Sequence, residues 1–385
     1  MTHHEQTATP ESERARRTWV KLLSITAAVI GVGILIVLVT GRQTPLPLGV
    51  LRTNPAGPSR PAELPPLWEH LASTSVVGQL TGPGSPNRTY QRWNVGGTDL
   101  GHTFFHNGDL YMVFGDTYGL EHGDWRSNTM AKIASLESPA TGLEIEHFIS
   151  DETGQARELL SSQKVYWVER TVIPTNGVSV RGRMILHYMS VRRWVAPGRW
   201  SVNHAGLAYS EDDGETWVKS GPMWGDSSNF VQVAFVEDHD DPRHVYMFGI
   251  PAGRYGSVAL ARVPQTTILE ADAYEYWDGN DWIEHEALAA QIVPAPVGEL
   301  SVAWNGYLQR WLMMYLNERL NAVVIRTAEQ LTGPWSDESL ITTARDHPQL
   351  YAPFIVPFES NEPDIFFTMS RWDSYNVFLM HMRVQ

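Results

Sequence analysis

The stretch TDLGHTFFHNGDLYMVFGDT, Thr98 to Thr117, decides the fold and introduces the chemistry. Asn107-Gly108 stands between two apolar runs, Phe104-Phe105 before it and Leu110 to Phe114 after it. Asn-Gly in that setting is the strongest short-range sign of a two-residue β-hairpin turn. With His106 and Asp109 flanking the turn, an unbroken ladder sets Asp99 opposite Asp116 at the open end. Directly opposed Cβ atoms lie roughly 4.5–5.5 Å apart, and like charges at that separation destabilise a sheet. A carboxylate pair that shares or holds a proton gives such an arrangement a purpose. Asp after Gly is also ordinary turn chemistry, and one β-bulge would separate the pair.

Outward from this hairpin the same pattern recurs. Apolar runs at Leu110–Phe114, Met184–Met189, Val245–Phe248, Trp311–Tyr315 and Ile365–Met369 each follow a turn-like cluster, and each is answered by a further run: Asn128–Ile133, Gly206–Tyr209, Ser257–Ala261, Asn321–Ile325 and Asn376–Met380. Successive units are 53 to 75 residues apart. Strand-only units of that size predict an all-β, five-bladed β-propeller, in which blades stack radially and shelter their edges. Ser210 to Trp217 reads S-x-D-x-G-x-T-W and resembles the Asp-box turn of propellers, a structural element.

Composition narrows the function. Hydrophobic content of 43% against 19% charged fits a folded chain, and a net charge of −14 argues against nucleic acid, whose phosphates need Lys and Arg. With no cysteine, disulfides and thiol chemistry are excluded. No G-x-S-x-G elbow, Walker loop, zinc helix or cation-ligand spacing stands out, so neither metal nor cofactor is expected.

Leu22 to Thr40 is an uncharged run of 19 residues, long enough as a helix to nearly span a hydrocarbon core of about 30 Å. Arg14, Arg16, Arg17 and Lys21 precede it, so the positive-inside rule predicts a cytoplasmic tail (1–21), an uncleaved transmembrane anchor (22–40) and an exported body of about −15 charge. A Pro-rich linker (41–66) follows, with the propeller at 67–385. These features predict a single-pass protein of the cell membrane.

In a propeller the first strand of every blade lines the channel, and the starts of those strands share one mouth. Starts at Thr98-Asp99, Pro174-Thr175-Asn176, Phe230-Val231-Gln232, Glu299-Leu300-Ser301 and Ala352-Pro353 bring Asp99, Asn176 and Glu299 to one funnel, with Asp116 joining from the next strand. Two Asp and a Glu suit glycoside hydrolysis, which needs one carboxylic acid and one carboxylate. His187, Trp304, Tyr315, Arg371, Trp372 and Tyr375 are candidates for binding a sugar, although aromatic residues in propellers more often pack between blades.

GGTDLG (96–101), FGDTYG (114–119), WRSN (125–128), IPTNGV (173–178), LHYMSVRRW (186–194), GELSVAWN (298–305) and MSRWDSYNVFLM (369–380) resemble the motifs of the domain of unknown function 4185 family, from which glycoside hydrolase family 183 grew. The resemblance implies a five-bladed propeller with endo-D-arabinanase activity on the D-arabinan of cell-wall arabinogalactan and lipoarabinomannan. The paired aspartates of that family fall on Asp99 and Asp116. A non-catalytic propeller that binds wall glycan through the same funnel is the rival reading.

Overall fold

The computed structural model describes residues 64–385 apart from 121–122, 135–138 and 359–361. The Leu22–Thr40 run lies outside these residues, and among the described ones no helix is long and apolar enough to cross a membrane. The body opens with β1 (Leu71–Gln79), a strand held over for the last blade, and a short helix α1 (Thr89–Trp93). Five antiparallel sheets then follow in chain order.

The first blade is β2 (Gly97–His106), β3 (Asp109–Tyr118), β4 (Thr129–Ile133) and β5 (Ile145–Phe148), and the second is β6 (Thr171–Val180), β7 (Arg183–Ala196), β8 (Arg199–Ser210) and β9 (Val218–Gly225). The third is β10 (Gln232–Glu237), β11 (His244–Ile250), β12 (Gly256–Pro264), β13 (Glu275–Trp277) and β14 (Trp282–Ile283), with β15 (Val293–Val297) also pairing with β12. Next come β16 (Leu300–Asn305), β17 (Arg310–Asn317), β18 (Ala322–Ala328) and β19 (Ser339–Thr343). The fifth blade has β20 (Leu350–Ile355), β21 (Asp364–Arg371) and β22 (Asn376–Val384), and β1 is its outer strand. This borrowed strand joins the two ends of the propeller through the ladder from Leu71↔Val384 to Gln79↔Phe378. It was not legible as part of a blade, because a single strand far from its partner has no hairpin signature.

The expected five-bladed propeller is the fold, and local chemistry explains why. Asn107 and Gly108 take φ of 51° and 87°, the two left-handed residues of a type I′ turn, so β2 and β3 pair in the register that turn dictates. Each blade is packed between two others, which buries both faces of its middle strands: Met184 to Val191 are buried without a break. Blades are also stitched by polar contacts. His106 reaches from the first blade to Ser179 Oγ (2.8 Å) and Asp213 Oδ1 (3.0 Å) of the second. The Asp box closes the turn between β8 and β9, where the amide of Thr216 donates to Asp212 Oδ1 (2.8 Å) and the Trp217 indole to Gly214 O (2.9 Å).

Candidate active site

The innermost strands β2, β6, β10, β16 and β20 contact one another in turn around the channel, so their starts meet at one mouth. There the first hairpin departs from its regular ladder. Pairing is even from His106↔Asp109 to His102↔Val113, after which Gly101 (φ 82°) drops out and Leu100 (φ 67°) pairs with Phe114. Between that pair and Thr98↔Thr117, β2 contributes Asp99 alone while β3 contributes Gly115 and Asp116. The two slips cancel. Asp99 and Asp116 remain neighbours across the strands, but on an irregular backbone that frees both carboxylates from the pleat. A Cβ at Gly115 would lie 2.4 Å from Asp99 Oδ1, so any larger residue there would displace that carboxylate.

Asp99 Oδ2 accepts a hydrogen bond from the Tyr351 hydroxyl (3.0 Å), and Tyr375 also hydrogen-bonds the carboxyl. Burial and, next, the charge of Asp116 push the Asp99 carboxyl up to about 7, against the pull of the two tyrosines. Burial raises both tyrosine hydroxyls well above the usual phenol range, so they remain donors. Asp116 is buried, and its Oδ1 accepts from Thr171 Oγ1 (2.7 Å) and the Trp125 indole (2.8 Å). Burial pushes it up to about 6, while those two donors and the Arg170 cation hold it below Asp99. Asp99 thus carries the larger upward push, and the two carboxyls titrate as a coupled pair.

An aromatic rim surrounds the pair. Trp125 stacks on Tyr118 (6.4 Å between centroids), Tyr118 meets Tyr375 (5.7 Å), Trp372 meets Tyr375 (5.7 Å), and Trp372 stacks on Tyr351 (5.2 Å). Trp372 is 54% exposed and offers solvent a broad apolar face. Glu299 sits just ahead of β16 as expected and adds to the upward push on Asp99, but its Oε1 is engaged by Arg254 Nε and Nη2 at 2.9 Å each. Arg254 also pairs with Glu318 (3.2 Å) and lies 5.1 Å from the Tyr351 ring centroid. Burial alone would lower Arg254, yet the two carboxylates outweigh it and keep it charged. Glu299 thus touches the pair through its field and through the Arg254–Tyr351 contact.

The remaining candidates divide. Arg371 and Trp372 are at the mouth, since Leu350 pairs with Arg371, although Arg371 is tied to Asp373. His187 is fully buried between blades, its ring bonded to Thr175 Oγ1 (2.7 Å) and Phe230 O (3.1 Å), and burial lowers it to about 3, so it is a neutral staple rather than a sugar ligand. Tyr315 is likewise inside the fourth blade, donating to Glu338 (3.0 Å) and accepting from Arg326 (3.0 Å). Trp304 lies at the far end of β16, its ring tilted against His239 (4.9 Å) at the opposite mouth. That mouth opens into a cavity of about 1010 Å³, which Asn176 also lines. Asn176 fails to reach the funnel because β6 begins at Thr171, five residues before it, and its Oδ1 instead accepts from the Phe235 amide (3.2 Å).

Sequence reasoning missed Tyr351, Thr171, Trp125, Tyr118, Arg170 and Arg254. Tyr351 and Thr171 follow from where the inner strands start. Pro174 and Pro353 obscured those starts, since both interrupt their ladders at register shifts. Among the described residues Asp238, His239 and Asp240 bring one ligand atom each within 4.8 Å, on the β10–β11 turn away from this site; no ion is assigned to them.

Comparison with known proteins agrees with this architecture. The profile of the family described as Domain of unknown function (DUF4185) matches residues 84–381. Notoamide biosynthesis cluster protein J of Aspergillus sp. (strain MF297-2) is 30% identical over 338 residues, covering 79% of this chain and 89% of that protein. Among solved structures, a candidate hydrolase of Bacteroides ovatus ATCC 8483 superposes with a TM-score of 0.57 at 15% identity, over 77% of this chain and 88% of that one. The exo-β-1,3-galactanase of Phanerochaete chrysosporium, solved with β-1,3-galactotriose, gives 0.50 at 12% identity, over 81% and 66%. At such identities the two structural likenesses speak to the fold. The match across most of the propeller is the stronger finding: this chain belongs to the domain of unknown function family DUF4185.

Proposed function

We propose that the chain is an extracytoplasmic glycoside hydrolase, held at the cell membrane through Leu22–Thr40, that cuts internal α-D-arabinofuranosyl linkages of cell-wall D-arabinan with Asp99 and Asp116. The observation that carries this reading is the carboxylate pair itself: two acids on one hairpin, unequal in proton affinity, ringed by aromatic faces. Glycosidic cleavage asks for that inequality. Asp99, which keeps its proton longer, gives it to the departing glycosidic oxygen, and Asp116 supplies the carboxylate on the anomeric side. Tyr351 and Tyr375, bonded to the Asp99 carboxyl, steady the base that remains after the proton leaves. Thr171 and Trp125 fix the Asp116 carboxylate and leave its second oxygen toward the sugar. The configuration of the first product formed distinguishes direct attack by Asp116 from activation of a water.

The choice of D-arabinan draws on the seven motifs shared with the glycoside hydrolase family 183 lineage, and the apolar Leu22–Thr40 run and Pro-rich linker agree with a wall-facing enzyme. Incubating the purified chain with arabinogalactan and sizing the products tests it. Oligosaccharides of graded length are expected. Release of single sugars alone, or of none while another wall polysaccharide is cut, would overturn the assignment.

A further inference from the structure

The hairpin of β7 and β8 outgrows its blade. Thr171, the first residue of β6, pairs with Val191, so the chain from Arg192 to Val202 continues past the sheet on the side of the carboxylate pair. Its tip reaches the third blade, where the Arg254 amide donates to Gly198 O (3.0 Å) and Arg199 covers the Tyr255 ring at 4.1 Å. The segment before β6 is strapped to this arm. The Trp167 amide donates to Arg192 O (3.2 Å), the Tyr166 hydroxyl to Trp194 O (3.3 Å) and Asn203 Nδ2 to Val168 O (2.7 Å).

What the straps hold out is aromatic. Trp167 takes φ of 73°, disfavoured for any residue with a side chain, and the residue is 58% exposed with the Arg193 guanidinium 4.0 Å from its ring centroid. Tyr166 and Trp194 are 48% and 40% exposed beside it. Large apolar faces clustered on a surface mark a binding site, and these connect to the carboxylate pair. Lys164 Nζ donates to Trp125 O (2.7 Å), and the Trp125 indole donates to Asp116. The arm from Val191 to Asn203 contains no carboxylate and residues 164–169 bring one, Glu169, so arginine and indole groups outnumber acids across the site. Stacking faces backed by hydrogen-bond donors suit the C–H faces and hydroxyls of neutral sugar rings.

We propose that this arm, with residues 164–169, is an extended subsite that holds a polysaccharide chain several sugars away from the bond being cut. The proposal rests on the glycosidase reading, and it explains how an internal bond of a long chain would be chosen: the rim grips the sugars at the pair and the arm grips the chain beyond. Its test combines a kinetic and a binding readout. For Trp167→Ala and Trp194→Ala together, the ratio of kcat/KM on arabinogalactan to kcat/KM on a tetrasaccharide of α-D-arabinofuranose is expected to fall about ten-fold. In affinity electrophoresis through arabinogalactan, Asp116→Asn is expected to be retarded and its Trp167→Ala, Trp194→Ala derivative to run free. An unchanged ratio, no retardation of Asp116→Asn, retardation abolished by 0.5 M salt, or a dimer that the tryptophan changes dissociate would each overturn the arm. Failure of wild type to cut either arabinogalactan or the tetrasaccharide, with retardation intact, would instead overturn the glycosidase reading.

Discussion

The hydrogen bonds and fields around Asp99 and Asp116 make the pair, rather than either residue alone, the unit that titrates. On the proposed mechanism, activity needs Asp116 ionised and Asp99 protonated. It is therefore expected to fall as pH drops below about 6 and again as pH rises above about 7, giving a narrow bell in kcat/KM. Asp116→Asn removes a charge that pushes Asp99 up, so a carbon-13 titration of that variant is expected to show the Asp99 carboxyl below about 7. A broad plateau or an unmoved Asp99 would contradict the coupling. The sign for stability follows as well. A carboxyl raised on folding stabilises fully below its unfolded value near 3.8 and loses that contribution as pH climbs through about 7. The folded protein consequently pays most for this pair in alkaline solution.

Among the elements, His187 shows most clearly how a strand residue differs from a ligand. It lies in the middle of β7, and nothing in the run MILHYMS distinguishes a histidine facing a channel from one facing the next blade. The contacts decide: Thr175 on one ring nitrogen and Phe230 O on the other join two blades. His187→Ala is expected to cost about 2–4 kcal/mol, through a cavity and two unpaired polar groups, while the folded fraction keeps its KM. Thermal melts and KM measured together check this, and a raised KM without a lower Tm would return His187 to the site. The strands of the five hairpin units were readable because each unit is set off by a turn cluster, and the Asn107-Gly108 turn fixed the first register. The ends of strands were not. One residue of phase decides whether a side chain meets the funnel or the next blade, and Trp304 and Asn176 shared the right strands with the wrong end of the channel. The double slip around Asp99 was also invisible, since two opposed irregularities leave the outer ladder as it would have been.

For the whole molecule, closing the propeller matters more than any one blade. β1 completes the fifth blade as its outer strand, and the closed ring carries Asp99 and Asp116 of the first blade, Thr171 of the second and Tyr351 and Tyr375 of the fifth to a single mouth. Such a site is assembled from segments more than 270 residues apart, which is why only Trp372 and Tyr375 of its aromatic half were named from sequence while its acidic half, contained in one hairpin, was plain. The central claim is that these two acids do the chemistry. Its most direct test is the rate at which the full-length chain releases reducing ends from arabinogalactan, compared with Asp99→Asn and Asp116→Asn. Each variant is expected to retain wild-type folding by circular dichroism and to lose about a thousand-fold or more in kcat. A well-folded variant of either residue that turns over at the wild-type rate would contradict it.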